Sequence, residues 1–360
     1  MLLGVSVVIC CHNSAKELPQ TLAHLAAQQV QGEIPWEVII VDNASTDGTS
    51  QAALASWTKD APTALRVVHE PRLGLIHARY RALAEAQYEI ISFIDDDNWV
   101  YPEWVQVVSE VMSQHPKLGA CGGLNEAEFE VESPSWFPMS GKSYATGPQG
   151  PEAGGDITWS RGCLVGAGLT IRKSAWQDLV NQGFHSLLIG CQGTQLKRGE
   201  DTELCFALLL AGWRLWYEPR LRLRHCLETE RLQWSHLRRL RRGGGAATLG
   251  FDPYRFALEE SSGEDCISFW WTVGRQAFKN KHKQTWQWQA LATLKNLLQR
   301  PHKLLSALIY PMEGDPDVLQ IEMKIGRLLE LLKNRQEYDL NIQAIRGAAW
   351  RQRHLPLEDN

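Results

Sequence analysis

Over roughly the first 125 residues, short apolar runs rich in valine and isoleucine alternate with longer stretches whose apolar residues recur every three or four positions. The short runs predict strands at Val5–Cys11, Glu37–Asp42, Leu65–His69 and Ile90–Asp95. Between them the spacing predicts helices near Ala15–Gln29, Asp47–Thr58, Leu73–Ala86 and Glu103–Gln114, each opened by small or polar residues or proline. Such alternation builds βαβ units around a mainly parallel sheet, and the polar residues that follow the strands fall where such a sheet forms its ligand crevice.

The pattern then changes. Residues Glu130–Thr158 are rich in Gly, Pro, Ser and Trp, too long a stretch for a plain connector, so a functional loop or lid is expected there. A second structured block follows at Trp159–His225. Three glycines, Gly243–Gly245, interrupt a run of arginines, and beyond them the chain reads as helical and rich in tryptophan. The boundary is expected there, between a catalytic unit, 1–245, and a helical extension, 246–360.

Composition narrows the class. Of 360 residues, 44% are hydrophobic and 22% charged, which suits a folded soluble protein rather than a disordered or fibrous one. A net charge of −4 argues against a protein that wraps nucleic acid. The eight cysteines form no CxxC pair and are expected to be reduced and structural, as in a cytoplasmic protein. The opening MLLGVSVVICCHN reads as a first strand rather than a signal peptide, and no apolar run approaches the roughly 20 residues that span a bilayer.

Four constellations carry candidate chemistry. Asp42, followed by Asn43-Ala44-Ser45-Thr46-Asp47, stands at a strand end, where a carboxylate can accept from a base or sugar, while Asp47 reads as a helix cap. Asp95-Asp96-Asp97 closes an apolar strand, and three adjacent carboxylates repel unless a divalent cation bridges them to a phosphate, although a solvated acidic turn would look the same. Glu200 and Asp201 precede an apolar helix, as helix-capping acids or as a general base. His225 ends a strand-like run and is either a packed side chain or a neutral metal ligand.

In this order and at these separations, the four resemble the family-2 glycosyltransferases of the GT-A fold over roughly residues 4–242. VSVVICCHNSAKELPQTL resembles the family's first strand and helix, DNASTDGT its nucleotide-binding turn, GLIHARYRAL its arginine segment, IDDDNW its Asp-x-Asp element, and GEDTELCFALLLAGWRLWYEPRLRLRH its acceptor-side helix, strand and histidine. The resemblance implies a Rossmann-like α/β fold and an inverting, non-processive transferase using a nucleoside-diphosphate sugar, with UDP as the expected nucleotide and Mn2+ or Mg2+ as cofactor. It implies Asp201 as base and Asp97 and His225 as metal contacts. Asn13, Asp42, Asn43, Arg79, Asp95, Asp96 and Glu200 would surround the nucleotide sugar or the acceptor. Arg161, Arg172 and the arginines of WSHLRRLRRGGG are candidates for neutralising the diphosphate. The acceptor is expected to be a glycan or a lipid-linked glycan in exopolysaccharide or cell-envelope assembly.

No acidic residue occurs between Cys266 and Met312, where Lys and Arg recur among Phe269, Trp270, Trp271, Phe278, Trp286 and Trp288. This stretch fits a peripheral, anionic membrane contact or packing onto the catalytic unit. Val318, Ile321, Ile325, Leu328, Leu329 and Leu332 form a stripe for packing or self-association. Trp136 and Trp159 could stack on sugars, though loop packing is the simpler expectation. Two other classes compete: an inactive nucleotide-sugar-binding scaffold of the same fold, and a sugar nucleotidyltransferase. The second should carry a glycine-rich phosphate loop where this chain has Cys10-Cys11-His12-Asn13, and a dehydrogenase fails for the same reason.

Overall fold

Alternate residues of the first strands face opposite sides, and both sides are covered. In β1 (Val5–Cys11) and β2 (Trp36–Asn43), Val5, Val7, Ile9, Val38 and Ile40 point into one core, while Val8, Ile39 and Val41 point into another. A strand buried on both faces reads as a continuous apolar run, as these do. The structure, a computed structural model, describes residues 3–188, 198–262 and 284–352.

β3 (Leu65–Glu70) and β4 (Ile90–Ile94) complete a parallel set in the order β3-β2-β1-β4. The sheet then turns mixed. β8 (Thr170–Arg172) runs antiparallel between β4 and β6 (Leu118–Phe129); β9 (Arg214–Leu227) lies parallel to β6, and β5 (Asn98–Val100) and β7 (Gly155–Asp156) pair antiparallel with β9. On one face lie α1 (Leu18–Ala26), α2 (Thr49–Ser56) and α4 (Trp104–Gln114); on the other lie α3 (Leu75–Glu85), α6 (Lys173–Asn181) and α7 (Glu200–Leu210). The mixed α/β sheet flanked by helices is the GT-A architecture expected from the sequence.

The Glu130–Thr158 segment is a packed insert. It forms α5 (Phe137–Ser140), a 3-10 turn at Gly141–Tyr144 and β7, and buries Trp136, Phe137 and Tyr144 against Leu227, Leu237 and Leu319. Trp159 is partly buried against the main core. Both tryptophans follow the packing expectation.

The triple glycine does not break the chain. α8 (Trp234–Ser262) passes through it as one helix. After it come α9 (Trp286–Leu298), α10 (Pro301–Ile309), α11 (Pro316–Lys333) and α12 (Arg335–Arg346). A Cβ on Gly245 would lie 1.9 Å from the Met323 carbonyl oxygen, and one on Gly326 would lie 1.9 Å from that of Arg242. The glycines thus let α8 and α11 touch backbone to backbone, and a sequence feature read as a boundary is a helix crossing. At the same crossing Arg238 and Arg242 both pair with Glu322, at 2.7 and 2.6 Å. Deeper in, Arg327 donates to Asp252 at 2.6 Å and to Gln289 at 2.8 Å, and the Tyr338 hydroxyl donates to Asp252 at 2.8 Å, joining α8, α9, α11 and α12. Of the apolar stripe on α11, Val318 and Ile321 are buried and Ile325 and Leu328 pack against the cores, whereas Leu329 and Leu332 stand exposed. Phe269, Trp270, Trp271 and Phe278 lie outside the described residues.

Candidate active site

The parallel strands end together. Asp42 sits beside Cys11 in register, and Ile94 beside Ile9, so the residues that follow each strand gather at one edge of the sheet. On the β2 side Asn13, in the left-handed region at φ 55°, accepts from the Thr46 amide at 2.8 Å. Asp42 accepts from the Ser45 amide at 3.1 Å and from the Ser50 hydroxyl. Burial pushes the Asp42 carboxyl up, but these donors outweigh it and leave it below the usual range, ionised and fixed. Asn43 donates to the carbonyls of Glu70 and Arg72 at 3.1 and 2.7 Å and accepts from the Gly74 amide at 2.8 Å. Its amide is held by the scaffold, as is Asn13's side-chain carbonyl, so both shape the turn. Asp47 bonds the Ala15 amide at 3.0 Å and the Thr49 hydroxyl at 2.6 Å, the local role its sequence position suggests.

At the end of β4 a tight turn is locked by buried Asn98, which accepts from the Asp95 amide at 3.2 Å and donates to Asp97 at 2.9 Å. The three carboxylates diverge. Asp96 turns back to accept from the Ser14 hydroxyl; burial and then Asp97 raise it to about 7. Asp97 meets His225 because β5 pairs with β9 and places Asn98 opposite His225. The Asp97 Oδ2 lies 3.3 Å from His225 Nε2 and accepts from Arg231 Nη1 at 2.6 Å. Burial would raise Asp97, but His225 and Arg231 more than offset it and hold the carboxyl at about 2. Asp95 is raised by burial and by Asp97, against His225 and Arg79.

Arg79, on α3, links this cluster to the next. It is buried at 5% exposure, and the carboxylates of Glu200, Asp201 and Asp95 favour its charged form against the cost of burial. Gly166 stands at the junction: a Cβ there would lie 3.2 Å from Arg79 Nη2 and 3.3 Å from Asp201 Oδ2. The Asp201 carboxyl accepts from the Thr202 amide at 2.8 Å, in the first turn of α7. Burial, then Glu200, raise it to about 6 against the pull of Arg79. Glu200 accepts from the Gly199 amide at 3.0 Å. Gly199 has φ 133°, and a Cβ on it would strike the Phe251 ring at 2.4 Å, so only glycine lets α7 begin against α8.

Residues 6–175 match the family model described as Glycosyl transferase family 2. That match covers 170 of the 360 residues. This glycosyltransferase is 26% identical over 246 residues to the succinoglycan biosynthesis protein ExoM of Rhizobium meliloti (strain 1021), covering 67% of this chain and 73% of that one. It is 32% identical over 117 residues to the uncharacterized glycosyltransferase YfnE of Bacillus subtilis (strain 168), 32% of this chain and 29% of that one. Among solved structures it resembles the mannosyltransferase PcManGT from Pyrobaculum calidifontis in complex with GDP-Man and Mn2+, with a TM-score of 0.56 at 17% identity over 93% of this chain and 87% of that one, a likeness of fold.

The glycosyltransferase's cationic residues differ from those expected. Arg172 is buried and donates to the carbonyls of Leu118 at 2.9 Å and Met112 at 2.8 Å, holding β8. Arg161 donates to the Cys163 carbonyl at 3.1 Å. Arg238 and Arg242 are bound to Glu322, so the basic run serves the α8–α11 crossing. The arginines at the acidic cluster are instead Arg231, on Asp97, and Arg198, a charged neighbour of Asp95. Neither belongs to a motif, and only the pairing of distant segments reveals them. The six described cysteines are free thiols. Among the described residues no helix is long and apolar enough to cross a membrane.

A cation can be tested against the donors present. Among the described residues no group of three or more His, Cys, Asp or Glu converges. Asp97 and His225 do offer two donor atoms 3.3 Å apart, close to the roughly 3 Å between adjacent ligands of an octahedral ion with 2.1 Å bonds. That pair suits an ion bound by few protein groups together with phosphate oxygens.

Proposed function

We propose that this chain transfers a glycosyl group from a nucleoside-diphosphate sugar, UDP-linked by resemblance, to a hydroxyl of a glycan or lipid-linked glycan, inverting the anomeric centre. The observation that carries the reading is that Arg79 and Asp201 both reach Gly166 while Asp95 also acts on the buried Arg79 guanidinium, so one cation serves both acidic groups. Asp42 and Asp95 would meet the base and ribose, and Asp97 with His225 would hold a divalent ion. Such an ion, Mn2+ or Mg2+, supplies positive charge to the leaving diphosphate. Arg79, Arg198 and Arg231 add cations around the same place, and a low-dielectric site makes each count for more than it would in water.

Asp201 would take the proton of the acceptor hydroxyl. A carboxyl held at about 6 is ionised at neutral pH yet basic enough to share a proton in the transition state. Glu200 positions the acceptor segment and raises its neighbour. Attack from the Asp201 side, opposite the departing diphosphate, gives inversion. The similarity to ExoM supports a place in exopolysaccharide assembly, and the complex named for PcManGT supports a nucleotide-sugar donor with Mn2+. The proposed setting is the cytoplasm, with residues 1–245 as catalytic unit and 246–360 as an extension that shares α8 with it.

Thermal stabilisation by UDP- and GDP-sugars, with and without Mn2+, identifies the donor; the expected result is a rise in melting temperature for one of them that requires the ion. Proton NMR of the product then reads the anomeric coupling. A β product from an α-linked donor supports the proposal, and a retained α configuration removes Asp201 as base.

A further inference from the structure

The helices after α8 leave many large apolar side chains exposed. On α9, Trp288, Leu291 and Leu298 recur at helical spacing on the outside, with Leu291 65% exposed, while Ala290, Thr293 and Leu297 face the interior. On α10, Leu305 and Leu308 are exposed and Ala307 is buried, and Tyr310 just beyond is 79% exposed. Exposed apolar residues recurring on neighbouring helices in this way mark a place where something binds.

Charge says what kind of partner fits. Lys295 and Arg300 are exposed between these two outward faces, and no acidic residue occurs from Cys266 to Met312. The acids that follow are engaged: Glu313 accepts from Trp136 Nε1 at 2.8 Å, Asp315 caps α11 by accepting from the Asp317 amide at 2.8 Å, and Asp317 pairs with Lys303. Lys295 and Arg300 thus add positive charge beside the exposed leucines of α9 and α10. A second copy would bring the same positive charge against it, whereas an anionic lipid surface complements it.

We propose that the outer faces of α9 and α10 seat this protein on an anionic lipid bilayer. The place of the patch gives the docking a purpose. Glu313, next to it, holds Trp136; Trp136 shares a cluster with Tyr144; and the Tyr144 hydroxyl donates at 2.8 Å to the carbonyl of Arg231, the residue on Asp97. Seating the patch would then bring the protein to the surface that presents the hydroxyl of a lipid-linked acceptor. That last step rests on the proposed transfer reaction; the docking does not.

Co-sedimentation of the full chain with vesicles tests it, using phosphatidylcholine alone against phosphatidylcholine mixed with phosphatidylglycerol. The wild type is expected to sediment with the mixed vesicles only. Leu305→Glu with Leu308→Glu should abolish binding, and Lys295→Gln with Arg300→Gln should weaken it about tenfold or more. All four residues are exposed, so an unchanged melting temperature shows that the fold is kept. The proposal is overturned if the wild type stays in solution, if neutral vesicles bind it equally, or if light scattering finds a dimer that the leucine variant dissolves. Donor-dependent stabilisation in the same samples reports on the transferase reading separately, so either idea can fail while the other stands.

Discussion

Arg231 and Arg79 hold opposite ends of the acidic cluster, and their partners differ in a way that can be measured. Arg231 donates at 2.6 Å to the Asp97 oxygen that also faces His225, so it supplies charge where a cation would sit. Arg231→Ala is expected to weaken nucleoside-diphosphate binding by about ten- to hundredfold, the worth of a charged hydrogen bond. It should also tighten Mn2+ binding in the absence of nucleotide, because a competitor for Asp97 is gone. Calorimetric titration of Mn2+ and of UDP or GDP checks both. The raised carboxyl of Asp201 carries a second prediction. A base works when deprotonated, so kcat/KM should rise about tenfold per pH unit below about 6 and level off above it. A profile flat from pH 5 to 7.5 would argue against that role.

Whole elements, more than single side chains, explain what the sequence could and could not reveal. The strands were legible because parallel strands buried on both faces leave uninterrupted apolar runs such as Val38-Ile39-Ile40-Val41. The ends of those strands therefore located Asp42, Asp95 and Asp97. Asp96 and Asn43 could not be judged the same way, since Ser14, Glu70, Arg72 and Gly74 reach them from other segments. Arg231 was hidden for the same reason. The triple glycine misled because flexibility and close approach leave one signature, and only the position of α11 shows that close approach is meant. Gly245→Ala is accordingly expected to lower stability by about 1–3 kcal/mol, seen as a melting temperature several degrees lower, because its methyl would press on the Met323 carbonyl. An unchanged melting temperature would mean that the helices are not in contact there.

At the scale of the molecule, segments far apart in sequence must meet at the sheet edge for the proposed site to exist. β4 and β5 deliver Asp95 and Asp97, β9 brings His225 and leads on to Arg231, and α7 presents Asp201, whose start is wedged against α8 at Gly199. The C-terminal helices brace that arrangement through the buried Asp252–Arg327 pair and the Arg238 and Arg242 clasp on Glu322. The central claim is that these residues act on the same sugar, one group holding the diphosphate and the other activating the acceptor. Single-turnover transfer by Asp201→Asn, measured at a donor concentration set from its own titrated affinity, tests this most directly. The account predicts donor affinity close to that of the wild type and a transfer rate lower by about 10²- to 10⁴-fold; transfer at the wild-type rate would contradict it.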